Sequence, residues 1–119
     1  MVKIVNGDIL QCIENIIVHQ VNVQGSMGGG VARQLALQYP QLENEYKKFC
    51  KDNFNDYKLL KGRVFIVNED KIIANIFSQT PDFDTDYEMM RECFEIIKDK
   101  SIEKDLSIAI PYNIGCRHC

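Results

Sequence analysis

The 119-residue chain has no long hydrophobic run and no export signal at its start. A membrane span needs ~18–20 consecutive apolar residues, and no stretch of the sequence approaches that length. The first ten residues, MVKIVNGDIL, lack the basic region, the long apolar core and the cleavage site of a secretory signal peptide. We therefore expect a cytoplasmic protein with no membrane partner.

A surplus of positive charge is also missing, because 14 Lys and Arg stand against 17 Asp and Glu, for a formal net charge of -3. General nucleic-acid binders are usually basic, since their affinity depends on neutralising phosphates. We therefore expect no general nucleic-acid binding. A small phosphate ligand is not excluded, because backbone N–H groups can hold a pyrophosphate without Lys or Arg.

The five cysteines cannot form a complete disulfide framework, because their number is odd, and in a cytoplasm we expect them to stay reduced. The segment Cys116-Arg117-His118-Cys119 resembles half of a zinc site, but the sequence holds no second close pair of ligands. We expect no metal and no cofactor. Cys116 as a nucleophile would need a nearby base and a lowered pKa. His118 is close in sequence, but we do not expect the end of a chain to hold a rigid Cys–His pair.

The chain reads as alternating strands and helices without an internal repeat, a low-complexity tract or a linker. This alternation predicts a single α/β domain, spanning residues 1–119, with a mixed sheet. The predicted strands are Val2–Val5, Ile16–Val21, Arg63–Val67, Ile72–Phe77 and Leu106–Ile110, of which the third and fourth form a hairpin. The predicted helices run from Val31 to Pro40, from there to about Asp52, and from Asp86 to Lys100 with Thr85 or Asp86 as the N-cap.

The strongest local signal lies between the second strand and the first helix. Asn22 ends the strand, the glycine-rich run from Gly25 to Gly30 follows, and helical spacing begins at Val31. Glycines let the backbone approach a phosphate closely, and the first N–H groups of a helix point at it. The spacing fits neither a P-loop nor a G-x-G-x-x-G dinucleotide motif. A flexible turn is the alternative interpretation.

Polar and loop residues follow several predicted strands, and ligands gather at the carboxyl ends of strands in open α/β sheets. Asp8, Asn22 and the loop 111–115 occupy such ends. The Asn22 amide can bridge a ribose hydroxyl or simply form a turn, and its position alone does not separate the two. His19 lies inside an apolar strand, which favours a core histidine over a catalytic base.

Several segments, in order over nearly the whole chain, resemble a macro domain. They are Gly7-Asp8-Ile9, IVHQVNVQGSMGGGVARQL from Ile17 to Leu35, IANIFSQ from Ile73 to Gln79, Thr85-Asp86-Tyr87-Glu88, and IPYNIGC from Ile110 to Cys116. The resemblance is to a bacterial and phage-like branch related to ADP-ribose 1''-phosphate processing proteins and terminal ADP-ribose glycohydrolases. It implies a three-layer α/β/α fold that binds ADP-ribose in a cleft above the strand ends.

The resemblance also assigns a role to individual residues. It implies that Asp8 accepts a hydrogen bond from the adenine amino group, that Ile9 packs beside the base, and that Asn22 contacts the distal ribose as the candidate catalytic residue. The remaining matched positions belong to two phosphate-binding loops: Gly28, Gly29, Gly30 and Val31 in the first, and Ile114, Gly115 and Cys116 in the second.

Two departures from the family pattern bear on activity. The glycohydrolase relatives attack the distal ribose with a lysine near the end of the IANIFSQ strand, where this chain offers Ser78 or Gln79. They also use an aspartate beyond the second glycine loop, and this chain ends at Cys119, so we expect an incomplete domain without its last helix. The resemblance implies a parent protein that hydrolyses ADP-ribose 1''-phosphate or ADP-ribosyl linkages, with a non-catalytic ADP-ribose reader as the alternative.

Overall fold

A mixed four-stranded sheet forms the centre of the molecule. The computed structural model describes residues 7–27, 30–111 and 114, so the predicted strand Val2–Val5 lies outside the described residues. The strands are β1 (Ile16–Val21), β2 (Val64–Asn68), β3 (Ile72–Phe77) and β4 (Ile108–Ala109), in the spatial order β2-β3-β1-β4. β1 pairs in parallel with β3 and β4, and β2 pairs antiparallel with β3. The predicted mixed sheet and hairpin are confirmed.

Helices connect these strands. Their bounds are Gly30–Gln38 for α1, Pro40–Asp52 for α2, Tyr57–Leu60 for α3 and Tyr87–Lys104 for α4, and a 3-10 helix spans Ile9–Gln11. Two of these elements, α3 and the 3-10 helix, were not predicted. Each is less than two turns long and begins at an aspartate, Asp56 and Asp8, whose carboxylate accepts a backbone N–H two residues on. Helices as short as these leave no periodic signal in the sequence.

The predicted helix starts agree closely with the structure. Pro40 begins α2. A proline is tolerated there because the N–H groups of the first helical turn have no acceptor within the helix, so the missing N–H of proline costs no hydrogen bond. Asp86 is the N-cap of α4, since its side chain accepts a hydrogen bond from the backbone N–H of Met89 at 3.2 Å. Of the two predicted caps, Asp86 is therefore the right one.

The predicted ends around α4 and β4 were wrong by a few residues. α4 continues beyond Lys100 to Lys104, and it stops where Asp105 adopts a left-handed conformation with φ of 53°. The predicted strand Leu106–Ile110 shortens to Ile108–Ala109, because the N–H of Leu106 bonds to Ser101 and the backbone of Ser107 bonds to Asn15. β2 also begins and ends one residue later than the predicted Arg63–Val67.

Helices cover the sheet on both faces, which gives the three-layer α/β/α fold. Successive strand side chains point to opposite faces, so Ile17 and Val21 of β1 pack in one buried cluster while Ile16 and Val18 pack in the other. The first cluster includes the buried side chains of α1 and α2, and the second includes those of α4. The expected fold class is confirmed.

His19 is part of this core. It is 2% exposed, and its Nε2 lies 2.5 Å from Oδ1 of Asn75, its partner in register on β3. The Nδ2 group of Asn75 donates to the carbonyl of Phe65, so the imidazole Nε2 carries the proton of the shared bond. Burial lowers the pKa of His19 to about 4. His19 is thus a neutral core histidine, as the apolar strand around it predicted.

This buried imidazole makes stability depend on pH. In the unfolded chain His19 takes up a proton near pH 6.5, but in the folded chain it does so only near pH 4. We therefore expect the free energy of unfolding to fall by about 3 kcal/mol as the pH drops from 6.5 to 4. Urea titrations of H118Q, in which His19 is the only histidine, compared with H118Q/H19Q isolate the effect. An equal pH dependence in both proteins would refute it.

Candidate binding site

Asn22 closes a tight loop directly after β1. Its Oδ1 accepts hydrogen bonds from the backbone N–H of Gln24 at 3.0 Å and of Ser26 at 3.4 Å, and from the Tyr46 hydroxyl at 2.9 Å. Its Nδ2 donates to the carbonyl of Ser26 at 3.0 Å. The side chain is buried inside the loop that it shapes. The turn-forming role of Asn22 is confirmed, and its contact with a ribose stays a prediction.

Both described glycines of the run from Gly25 to Gly30 have left-handed backbone. Gly25 has φ of +82° and Gly30 has φ of +57°, a region in which side-chain-bearing residues are strained. Gly30 is the exposed first residue of α1, and half-buried Val31 packs against the core in the next position. Gly28 and Gly29 lie outside the described residues. The first turn of α1, with its unpaired N–H groups, therefore begins close in sequence to the end of β1.

Asp8 caps the 3-10 helix that begins at Ile9, and this helix contacts α1. Asp8 is exposed, and its Oδ1 accepts the N–H of Leu10 at 3.0 Å. Ile9 is half-buried against the cluster on the α1 and α2 face. The structure thus brings the two residues assigned to adenine beside the helix assigned to phosphate, and their contacts with a base stay predictions.

A second loop, after β3, is joined to the end of β1 and to the loop that follows β1. Nε2 of Gln20 donates to the carbonyl and the hydroxyl of Ser78, at 3.1 and 2.9 Å, and approaches Thr85 Oγ1 at 3.2 Å. Nε2 of Gln24 donates to the carbonyl of Pro81 at 3.1 Å. These bonds hold the two loops together at the carboxyl ends of adjacent parallel strands, where ligands bind in open α/β sheets.

Ser78 and Gln79, which the resemblance aligns with a nucleophilic lysine, both make contacts within the protein. Ser78 is fully buried and its hydroxyl holds Gln20. Gln79 is half-buried and forms a β-bridge with Thr85. Both residues therefore stabilise the conformation of the loop.

Sequence reasoning missed Gln20 and Tyr46. A polar residue inside the nearly continuous apolar strand Ile16–Val21 was the available signal for Gln20. Tyr46 had no such signal, since helical spacing predicts only that its ring is buried.

The second predicted phosphate loop is only partly described. Ile114 is half-buried against the cluster on the α4 face, and its N–H donates to the carbonyl of Pro111 at 3.1 Å. Gly115 and Cys116, together with the segment ending in Cys119, lie outside the described residues. The role of this loop stays a prediction.

Two cysteines of the core are unsuited to nucleophilic chemistry. Burial raises the pKa of Cys50 and of Cys93 to about 11, so both thiols are protonated near neutral pH. In residues 7–27, 30–111 and 114 no group of three or more His, Cys, Asp or Glu side chains is arranged to hold a metal ion. Over the same residues, no helix combines the length and the hydrophobicity of a membrane span.

Comparison of the sequence with curated proteins finds two kinds of relative. The chain is 34% identical over 74 residues to an ADP-ribose 1''-phosphate phosphatase of Candida albicans. The alignment covers 56% of this chain and 45% of that protein. It is 32% identical over 68 residues to a DNA ADP-ribosyl glycohydrolase of Mycobacterium tuberculosis. That alignment covers 57% of this chain and 18% of the glycohydrolase. The chain therefore spans less than half the length of either relative. No protein-family model matches the sequence.

Comparison of the fold gives a match over nearly the whole chain. The macrodomain of Mycobacterium tuberculosis DarG superposes with a TM-score of 0.83 at 23% identity, covering 98% of this chain and 78% of that one. At this identity the match concerns the fold. Because the sequence relatives are both fungal and bacterial, the bacterial or phage-like origin stays a prediction.

Proposed function

Because this chain is a macro domain, we propose that it binds ADP-ribose or an ADP-ribose derivative at the carboxyl ends of β1 and β3. The observation that carries the proposal is the loop closed by Asn22, which leads through the glycine run into the N-terminus of α1. Such a helix start attracts anions through its unpaired N–H groups and its dipole. Backbone donors can hold a diphosphate without Lys or Arg, so the net charge of -3 does not oppose this choice of ligand.

We assign each part of the proposed ligand to its own residues. The diphosphate contacts the backbone at Gly28, Gly29, Gly30 and Val31, and Ile114, Gly115 and Cys116 form the second phosphate loop. The adenine lies against Ile9 with its amino group at Asp8, whose exposed carboxylate is suited to accept a hydrogen bond. Asn22 contacts the distal ribose. The names of both sequence relatives refer to ADP-ribose or an ADP-ribosyl group, which supports this choice of ligand.

We further propose that the protein hydrolyses ADP-ribose 1''-phosphate or an ADP-ribosyl linkage. The ADP-ribose 1''-phosphate phosphatase among the relatives supports the first substrate and the DNA ADP-ribosyl glycohydrolase supports the second. A non-catalytic reader of ADP-ribose is the second candidate. It is favoured by the buried, bonded Ser78 and by the absence of lysine from the sequence 77–86, where the glycohydrolases of the resemblance carry their nucleophile.

Release of inorganic phosphate from ADP-ribose 1''-phosphate separates these candidates. The chain is mixed with the substrate, phosphate is followed over time, and the rise in melting temperature caused by ADP-ribose is measured in parallel. An enzyme gives both phosphate and thermal stabilisation, whereas a reader gives stabilisation alone, because ligand binding to the folded state raises stability in either case. A chain that gives neither result contradicts the proposal.

A further inference from the structure

The hydroxyl of Tyr46 is buried against Asn22. Tyr46 lies on α2 and is fully buried, and its hydroxyl is 2.5 Å from the backbone carbonyl of Asn22 and 2.9 Å from its side-chain Oδ1. Cys50, one turn further along the same helix, has its Sγ 4.0 Å from the same carbonyl. One face of α2 therefore supports Asn22 from the core.

These contacts fix which atoms of the Asn22 carboxamide are available to a ligand. The two backbone N–H groups that reach the Oδ1 atom can only donate, so the amide cannot be flipped without losing both bonds. The Tyr46 hydroxyl, whose single proton is shared with the Asn22 carbonyl, is a third neighbour from which Oδ1 can accept. The Nδ2 group donates one hydrogen to the carbonyl of Ser26, and its second hydrogen has no acceptor in the described part of the chain. Asn22 can therefore offer a ligand an N–H donor and no free oxygen.

We propose that Tyr46 is a positioning residue that holds Asn22 with this N–H directed at an acceptor oxygen of the distal ribose. The inference rests on the proposed function and deepens it, because it names the residue that sets the polarity of the ribose contact. The site then recognises a sugar hydroxyl through its oxygen. Tyr46 itself does not touch the ligand.

The test compares two tyrosine-to-phenylalanine variants with two ligands. Y46F removes the hydroxyl from Asn22, and Y57F removes the hydroxyl that donates to Asp86 at the start of α4, 3.0 Å away. ADP-ribose carries the distal ribose, and ADP lacks it. We expect Y46F to weaken ADP-ribose binding about tenfold, the size of one hydrogen bond, and to leave ADP affinity within about twofold. Y57F should leave both affinities unchanged.

A double-mutant cycle with N22A distinguishes positioning from a general loss of structure. If Tyr46 acts through Asn22, adding Y46F to N22A should cause little further loss of ADP-ribose affinity, since the two effects share one interaction. Melting temperatures of all variants confirm that each is folded when it is titrated.

Three results would overturn the inference: equal weakening of ADP-ribose and ADP by Y46F, unchanged ADP-ribose affinity in Y46F, or independent effects in the cycle. A folded, unmodified chain that does not bind ADP-ribose would instead overturn the proposed function, and the role of Tyr46 with it. Titration of the unmodified chain therefore distinguishes failure of the Tyr46 inference from failure of the proposed function.

Discussion

Replacing Gly29 with Glu should weaken ADP-ribose binding by at least about 100-fold with little loss of stability. The substitution places a carboxylate in the glycine run directly before Gly30, where α1 begins and where we propose that the diphosphate is held. Two like charges about 4 Å apart repel by about 4 kcal/mol near a protein surface, which is enough for a loss of this size. Calorimetric titration with ADP-ribose measures the affinity, and urea unfolding measures the stability.

Two control variants separate the causes of this loss. G29Q adds a side chain of the same size without the charge, so it should weaken binding less than G29E. Q38E adds the same charge at the exposed last residue of α1, at the opposite end of the helix from the proposed phosphate site, and should leave the affinity within about twofold because exposed charges are strongly screened by salt. If G29E binds ADP-ribose as tightly as the unmodified chain, the glycine run is not the phosphate site.

Replacing Phe77 with Ala should lower the free energy of unfolding by about 3–5 kcal/mol, as for other buried aromatic rings. Phe77 ends β3, is fully buried and pairs in register with Val21. Its ring centroid lies 5.8 Å from that of Phe49 and 6.2 Å from that of Tyr46. Removing it leaves a cavity between the sheet and α2, in a domain whose total stability is of the order of 5–15 kcal/mol.

Phe54 provides the matched control for this substitution. Its side chain is 82% exposed, so F54A makes the same chemical change without opening a cavity in the core and should alter stability by about 0.5 kcal/mol or less. Urea denaturation of the three proteins, with equal slopes, gives the comparison. Similar losses in F77A and F54A would contradict the assignment of Phe77 to the core between sheet and helix.

The sequence patterns predicted the long elements well and the short ones poorly. β1 and β3 have the predicted bounds, Ile16–Val21 and Ile72–Phe77, because burial on both faces leaves nearly continuous apolar runs. α3 has only four residues, which is too few for helical periodicity to show. The late start of β4, at Ile108 instead of Leu106, depends on hydrogen bonds between Ser107 and Asn15, which are 92 residues apart in the chain.

The same distinction applies to the candidate site. The position of Asn22 at a strand end, and of the glycine run before a helix, could be predicted because both signals are local. The partners of these residues could not, since Tyr46 follows Asn22 by 24 residues and Ser78 follows Gln20 by 58. Only the packing of α2 against the sheet, and the pairing of β3 with β1, bring these groups within hydrogen-bond distance.

Calorimetric titration of the 119-residue chain with ADP-ribose, with AMP and ribose as separate controls, tests the central claim most directly. If the carboxyl ends of β1 and β3 form an ADP-ribose site, binding is saturable at one site per chain and is tighter for ADP-ribose than for AMP or ribose, because only ADP-ribose spans the adenine, diphosphate and distal ribose positions together. A folded chain that binds ADP-ribose no better than AMP would contradict the claim.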